Sequence, residues 1–157
     1  MPREYKLISA DSHVLEPPDL WTKALSEKWG DKAPHFADSF RGESGTFFFA
    51  GRDVLRLGSS RDIDQEERYQ NLQEAGRDPA LRLRIMDDEN IASEVLNASW
   101  AMLTPRILDG ELRRVCAAVF NDFLVEYAGH DIQRLVGVAL LPIDDVAWAL
   151  AELERMA

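Results

Sequence analysis

The most regular hydrophobic pattern in the chain is a stripe. Leu112, Val115, Cys116, Val119, Phe120, Phe123, Leu124 and Tyr127 follow one another in alternating steps of three and one. That spacing keeps all of them on one side of a 3.6-residue helix and predicts a long helix with Gly129 as its stop. Leu135 to Leu141 is a nearly continuous apolar run ended by Pro142, the pattern of a strand covered on both faces. Asp144 or Asp145 then caps a helix carrying Val146, Leu150, Leu153 and Met156. Upstream, Asp78-Pro79 reads as a helix start, with Asp as N-cap and Pro at the first helical position. That helix runs to Asp88 or Glu89, and Asn90 suits the left-handed position at its end. Ile91 to Asn97 is a strand. At the start of the chain, Lys6 to Ala10 forms a short strand leading into Asp11-Ser12-His13. Pro17-Pro18 ends it, and Asp19 caps a helix bearing Leu20, Trp21, Ala24 and Leu25.

Residues 30–77 break this regularity. Thr46 to Ala50 and Val54 to Leu57 read as a β-hairpin turned at Gly51-Arg52-Asp53. Ser59 to Gly76 is polar and charged, and reads as a surface excursion. The order is strand, long insertion, helix, strand, helix, strand, helix. Strands alternating with helices predict an α/β fold with a parallel sheet and right-handed crossovers. Residues 1–157 read as a single unit.

Composition narrows the function classes. The 157 residues carry a net charge of -10 and no run of Lys or Arg, so nucleic acid and anionic membranes are not expected partners. No apolar run is long enough to span a bilayer, and the N-terminus lacks the apolar stretch of a signal peptide. Cys116 is the single cysteine and falls on the long helical stripe, which fits a buried thiol in a reducing, cytoplasmic compartment.

The candidate chemistry lies at the end of the first strand. Asp11 and His13 are two apart, so strand geometry turns both side chains to one face. They sit at the C-terminal end of the strand, where parallel α/β folds build their sites. A carboxylate and an imidazole together can bind a divalent cation such as zinc. Read from spacing alone, Asp11 could equally be a cap or a turn former.

A longer pattern surrounds the pair. Ile8 to Trp21, containing Asp11-Ser12-His13-Val14-Leu15-Glu16-Pro17-Pro18, resembles the opening of one branch of the amidohydrolase superfamily, the branch of aminocarboxymuconate-semialdehyde decarboxylase-like enzymes. Asp78 to Asp87, Phe120 to Leu124 and Arg134 to Pro142 are similar to further segments of that family, in the same order. The resemblance implies about the first three strand-helix units of a (β/α)8 TIM-type barrel, with a long insertion after strand 1. It implies a metal, expected to be zinc, held in part by Asp11 and His13. It implies hydrolysis or non-oxidative decarboxylation of small carboxylated ring compounds. The family's later ligands, a histidine and an aspartate, have no counterpart before Ala157, so the chain is expected to be a partial barrel that holds metal poorly on its own.

Other side chains carry weaker signals. Glu16 could touch the metal, orient a ligand or simply lie in solvent. Asn97 and Trp100, at and after the end of the second parallel strand, could line a substrate pocket, Trp100 otherwise packing over the mouth of the sheet. Arg82 reads as a helix-surface ion pair rather than a carboxylate binder. Asn121 and Asp122 read as solvent-facing or capping residues. His35 and His130 read as structural or exposed rather than as ligands, His130 beside a helix C-terminus. Phe47, Phe48 and Phe49 read as hairpin packing or a subunit contact. Two other readings remain: a non-catalytic barrel fragment or assembly module, self-associating through an open sheet edge, and a flavodoxin-like binding domain, disfavoured because no phosphate-cradling loop follows the first strand.

Overall fold

The computed structural model describes residues 7–57 and 73–156. Lys6 and most of the expected Ser59–Gly76 excursion lie outside the described residues. In chain order the elements are β1 (Leu7–His13), α1 (Leu20–Trp29), β2 (His35–Phe40), β3 (Glu43–Ala50), β4 (Asp53–Arg56), α2 (Pro79–Asp88), β5 (Ile91–Asn97), α3 (Gly110–Ala128), β6 (Leu135–Gly137) and α4 (Val146–Met156). Short 3-10 turns follow α1 at Gly30–Lys32 and β5 at Ala101–Arg106.

Two sheets result. One is parallel, in the order β1-β5-β6, and the other is an antiparallel meander of β2, β3 and β4. The parallel sheet alternates with helices as expected, through crossovers containing α2 and α3. The meander holds one strand more than the expected hairpin. Its first turn is Arg41-Gly42, with φ of 51° and 83°. Two positive φ values are what a two-residue hairpin turn needs, but arginine at the first of them is a weak sequence signal.

Helix ends follow local chemistry. Asp78 accepts hydrogen bonds from Ala80 N at 2.8 Å and Leu81 N at 3.1 Å, with Pro79 opening α2. Asp109 does the same for α3, accepting from Glu111 N and Leu112 N. Asp145 accepts from Trp148 N at 3.0 Å at the start of α4. Asp19 does not cap α1; its side chain pairs with Lys23, and only its carbonyl accepts from the first turn. Asn90 takes the left-handed conformation, φ 57°, after α2.

The core forms where the α3 stripe meets the parallel sheet and α1. Leu112, Cys116, Phe120, Leu124 and Tyr127 are buried against Trp21, Met86, Leu96 and Leu135. Burial raises the Cys116 thiol to about 12, so it stays protonated. Gly137 permits a close approach: a Cβ there would lie 2.8 Å from Leu124 Cγ.

Two expectations for the C-terminal third are corrected. The apolar run Leu135–Leu141 yields only a three-residue strand, although Val138 N still bonds Leu96 O at 3.0 Å. The chain leaves the ladder because buried Asn121 captures Leu140, accepting from its N at 2.8 Å and donating to its O at 3.0 Å. Val136 and Val138 remain exposed, so the run is not covered on both faces by the described residues. Nor does α4 pack through its apolar stripe. Val146, Leu150 and Leu153 are exposed, while Ala149 and Glu152 are buried. Asn121 donates to Glu152 at 2.8 Å and Arg155 joins Glu152 to Asp122, so a polar network turns this face of α4 to α3.

Candidate metal centre

Asp11 and His13 meet at the C-terminal end of β1, with His13 Nε2 3.7 Å from Asp11 Oδ1. An irregularity in the β1–β5 ladder falls between Ser9 and Ser12. It brings those two serines onto one side, their hydroxyls 2.8 Å apart, and leaves Asp11 toward His13. The pair is open, with side-chain exposures of 88% for Asp11 and 41% for His13. Asn97, paired with His13 in register, donates through Nδ2 to Asp11 Oδ1 at 3.3 Å and to Ser12 O at 3.4 Å. Asp11, His13 and Asn97 are therefore neighbours.

The imidazole is fixed from its other side. His13 Nδ1 lies 2.7 Å from the Ala98 carbonyl. A carbonyl only accepts, so Nδ1 carries the proton and the neutral ring keeps its lone pair on Nε2, the nitrogen a metal would use. No side-chain pattern in the sequence points to this partner, because it is backbone.

Glu16 and Trp100 lie on the far side of that loop. Glu16 is fully buried, which excludes the solvent reading. Burial pushes its carboxyl up, while hydrogen bonds from the backbone amides of Ala101, Trp100 and Ser99 pull it down. Trp100 packs on Phe36 at 5.5 Å and Phe48 at 5.7 Å between ring centroids, joining the loop to the antiparallel meander.

Arg82 is not a surface residue. It pairs with Glu94 at 3.0 Å, the two side chains being 11% and 12% exposed. It also donates to the His13 carbonyl at 2.5 Å and to Ala75 O at 3.2 Å, so it braces the backbone beneath the pair. Asn121 is likewise buried rather than solvent-facing. Asp122 is exposed and paired with Arg155. His35 stacks on Phe49 at 4.7 Å, and His130 Nδ1 donates to Glu126 O near the C-terminus of α3. Phe48 is buried against Trp21 and Phe36, as hairpin packing requires.

Among the described residues no group of three or more His, Cys, Asp or Glu is gathered to hold a metal ion. None of the described helices is long and apolar enough to cross a membrane.

No family model matches the chain, and no curated protein matches it. Solved structures do. An amidohydrolase from Mycobacterium avium subsp. paratuberculosis K-10 is similar over 98% of this chain and 47% of its own, with a TM-score of 0.71 and 17% identity. A dihydroxybenzoic acid decarboxylase from Polaromonas sp. JS666, with bound manganese and the inhibitor 2-nitroresorcinol, is similar over 97% of this chain and 35% of its own, with a TM-score of 0.55 and 20% identity. A 2,6-dihydroxybenzoate decarboxylase from Rhizobium has the same coverage at a TM-score of 0.50 and 18% identity. The chain thus spans half or less of the length of these structures, and its fold is the one found in part of an amidohydrolase and of two such decarboxylases.

Proposed function

We propose that this chain supplies part of the metal site of an amidohydrolase-type (β/α)8 barrel, acting as a hydrolase or non-oxidative decarboxylase on small carboxylated ring compounds. The observation that carries this reading is the Asp11–His13 pair at the C-terminal end of β1, its imidazole oriented by a backbone carbonyl. The donors suit the group: a carboxylate oxygen and a neutral imidazole nitrogen are ligands of zinc and of similar divalent ions. They form half of a four-coordinate set. Likeness to part of an amidohydrolase structure supports the family, and the two decarboxylase structures support a hydroxylated benzoate as a first substrate to try.

A bound divalent ion would supply Lewis acidity toward a substrate oxygen and lower the pKa of a bound water. The chain's own residues do the positioning. Asn97 steers the Asp11 carboxylate, and Trp100, packed on Phe36 and Phe48, anchors the loop that carries the Ala98 carbonyl. Buried Cys116 fits a cytoplasmic setting.

Calorimetric titration with Zn2+ and with Mn2+ tests the reading. We expect weak binding by the wild-type chain that is lost in His13→Ala and in Asp11→Asn. Equal binding by all three would remove Asp11 and His13 from the metal site. The second reading, an assembly module without activity, draws on the exposed apolar faces of the sheet and of α4. It predicts no difference among these variants, together with stable association.

A further inference from the structure

Glu16 is a fully buried carboxylate three residues beyond His13, yet neither of its oxygens is directed at the Asp11–His13 pair. Oε1 accepts from Ser99 N at 3.1 Å and Ala101 N at 2.9 Å, and Oε2 accepts from Trp100 N at 2.9 Å. These amides open the 3-10 turn Ala101–Arg106, where N–H groups have no partner within their own turn. The residue immediately before them is Ala98, whose carbonyl receives the His13 Nδ1 proton. Two more bonds close the same crossing: Val14 N to Asn97 O at 3.0 Å, and Ser99 Oγ to Val14 O at 2.7 Å. Residues 13–16 and 97–101 are therefore laced together, with the imidazole at one end and the buried carboxylate at the other.

We propose that Glu16 is a positioning residue for the metal pair: by clamping the amides of residues 99–101 it holds the Ala98 carbonyl against His13, and so sets which imidazole nitrogen faces Asp11. The inference rests on the metal reading above for its function, and on the loop geometry alone for its structural content. A carboxylate suits the task because both of its oxygens accept. Glutamine keeps the size but presents an NH2 group toward an amide that also donates.

The test uses the full chain with 15N-labelled histidine, at a pH high enough that the ring spectra no longer change on further addition of base. The wild-type His13 ring is expected to be the Nδ1–H tautomer. Glu16→Gln is expected to give a mixture of tautomers, faster amide exchange at residues 99–101, and Zn2+ or Mn2+ affinity lower by about tenfold or more. Asn121→Ala, which damages buried hydrogen bonds elsewhere, is expected to leave the His13 tautomer unchanged. A wild-type Nε2–H ring would overturn the proposal without any variant, even if Glu16→Gln failed to fold. A folded Glu16→Gln chain with the wild-type tautomer would also overturn it. The spectroscopic arm needs no metal, so a wild-type chain that binds neither ion defeats the metal reading while the ring spectrum still decides the role of Glu16.

Discussion

Arg82 and Glu16 show what residue type and spacing conceal. Each is a charged side chain near Asp11-Ser12-His13, and each is drawn away from solvent, Glu16 fully and Arg82 largely, because its partners come from distant parts of the chain. Arg82 meets Glu94 of β5 and two backbone carbonyls, those of His13 and Ala75. Glu16 meets amides more than 80 residues away in sequence. By contrast the Asp11–His13 pair was legible from its spacing of two at a strand end, although the irregularity between Ser9 and Ser12 beside it was not. Asn97 was legible as a strand-end candidate for the site, but not as a partner of Asp11. Its bond to Asp11 depends on the parallel register, which no local pattern specifies. The burial of Arg82 carries a prediction. Removing one member of a buried pair strands the other charge at a cost of about 3–5 kcal/mol. Arg82→Met should therefore lower the unfolding free energy by about that amount in urea denaturation, and Arg82→Met combined with Glu94→Leu should recover much of it. A loss below about 1 kcal/mol would mean that the pair behaves as a surface one.

Among the elements, α2 and α3 were readable because caps and a long apolar stripe act within a few turns of the chain. β2 was not, since its turn rests on Arg41 adopting a positive φ. The shortness of β6 and the polar seating of α4 were not readable either, since both depend on Asn121 reaching from α3 to Leu140 and Glu152. That seating should respond to acid. A hydrogen bond from Arg155 holds the Glu152 carboxyl below its ordinary 4.5; burial opposes this and Asn121 assists it. A group with a lowered folded-state pKa contributes its stability fully above the unfolded value, and loses it as pH falls through the folded value. The urea midpoint should therefore drop on acidification below about 4.5. Glu152→Gln should be less stable than wild type at neutral pH, and the gap should narrow in acid. A gap that stays constant with pH would assign the effect of the substitution to packing.

At the scale of the molecule, the polar seating of α4 leaves apolar surface with no neighbour among the described residues. Leu7 and Ile8 at the start of the sheet are each 64% exposed, and Val136, Val138, Val146, Leu150 and Leu153 are exposed as well. Among the described residues β1 and β6 are the outer strands of a parallel sheet, an arrangement that elsewhere is covered on both faces. Apolar patches larger than a few hundred Å2 rarely face water in a stable monomer, and free strand edges invite pairing. We therefore expect the 157-residue chain to associate with itself, with a sedimentation coefficient that rises with protein concentration. Leu150→Glu combined with Leu153→Glu should shift it toward the monomer. The pair should change unfolding free energy by no more than about 0.5 kcal/mol per site, because exposed side chains contribute little to folding. Substituting Leu7 and Ile8 by Lys probes the sheet edge separately from the helix. If only the α4 variant dissociates the assembly, the contact runs through helices; if only the Leu7 and Ile8 variant does, it runs through strands. A wild-type chain that stays monomeric across the concentration range would show that these apolar positions, though exposed, do not drive pairing between copies.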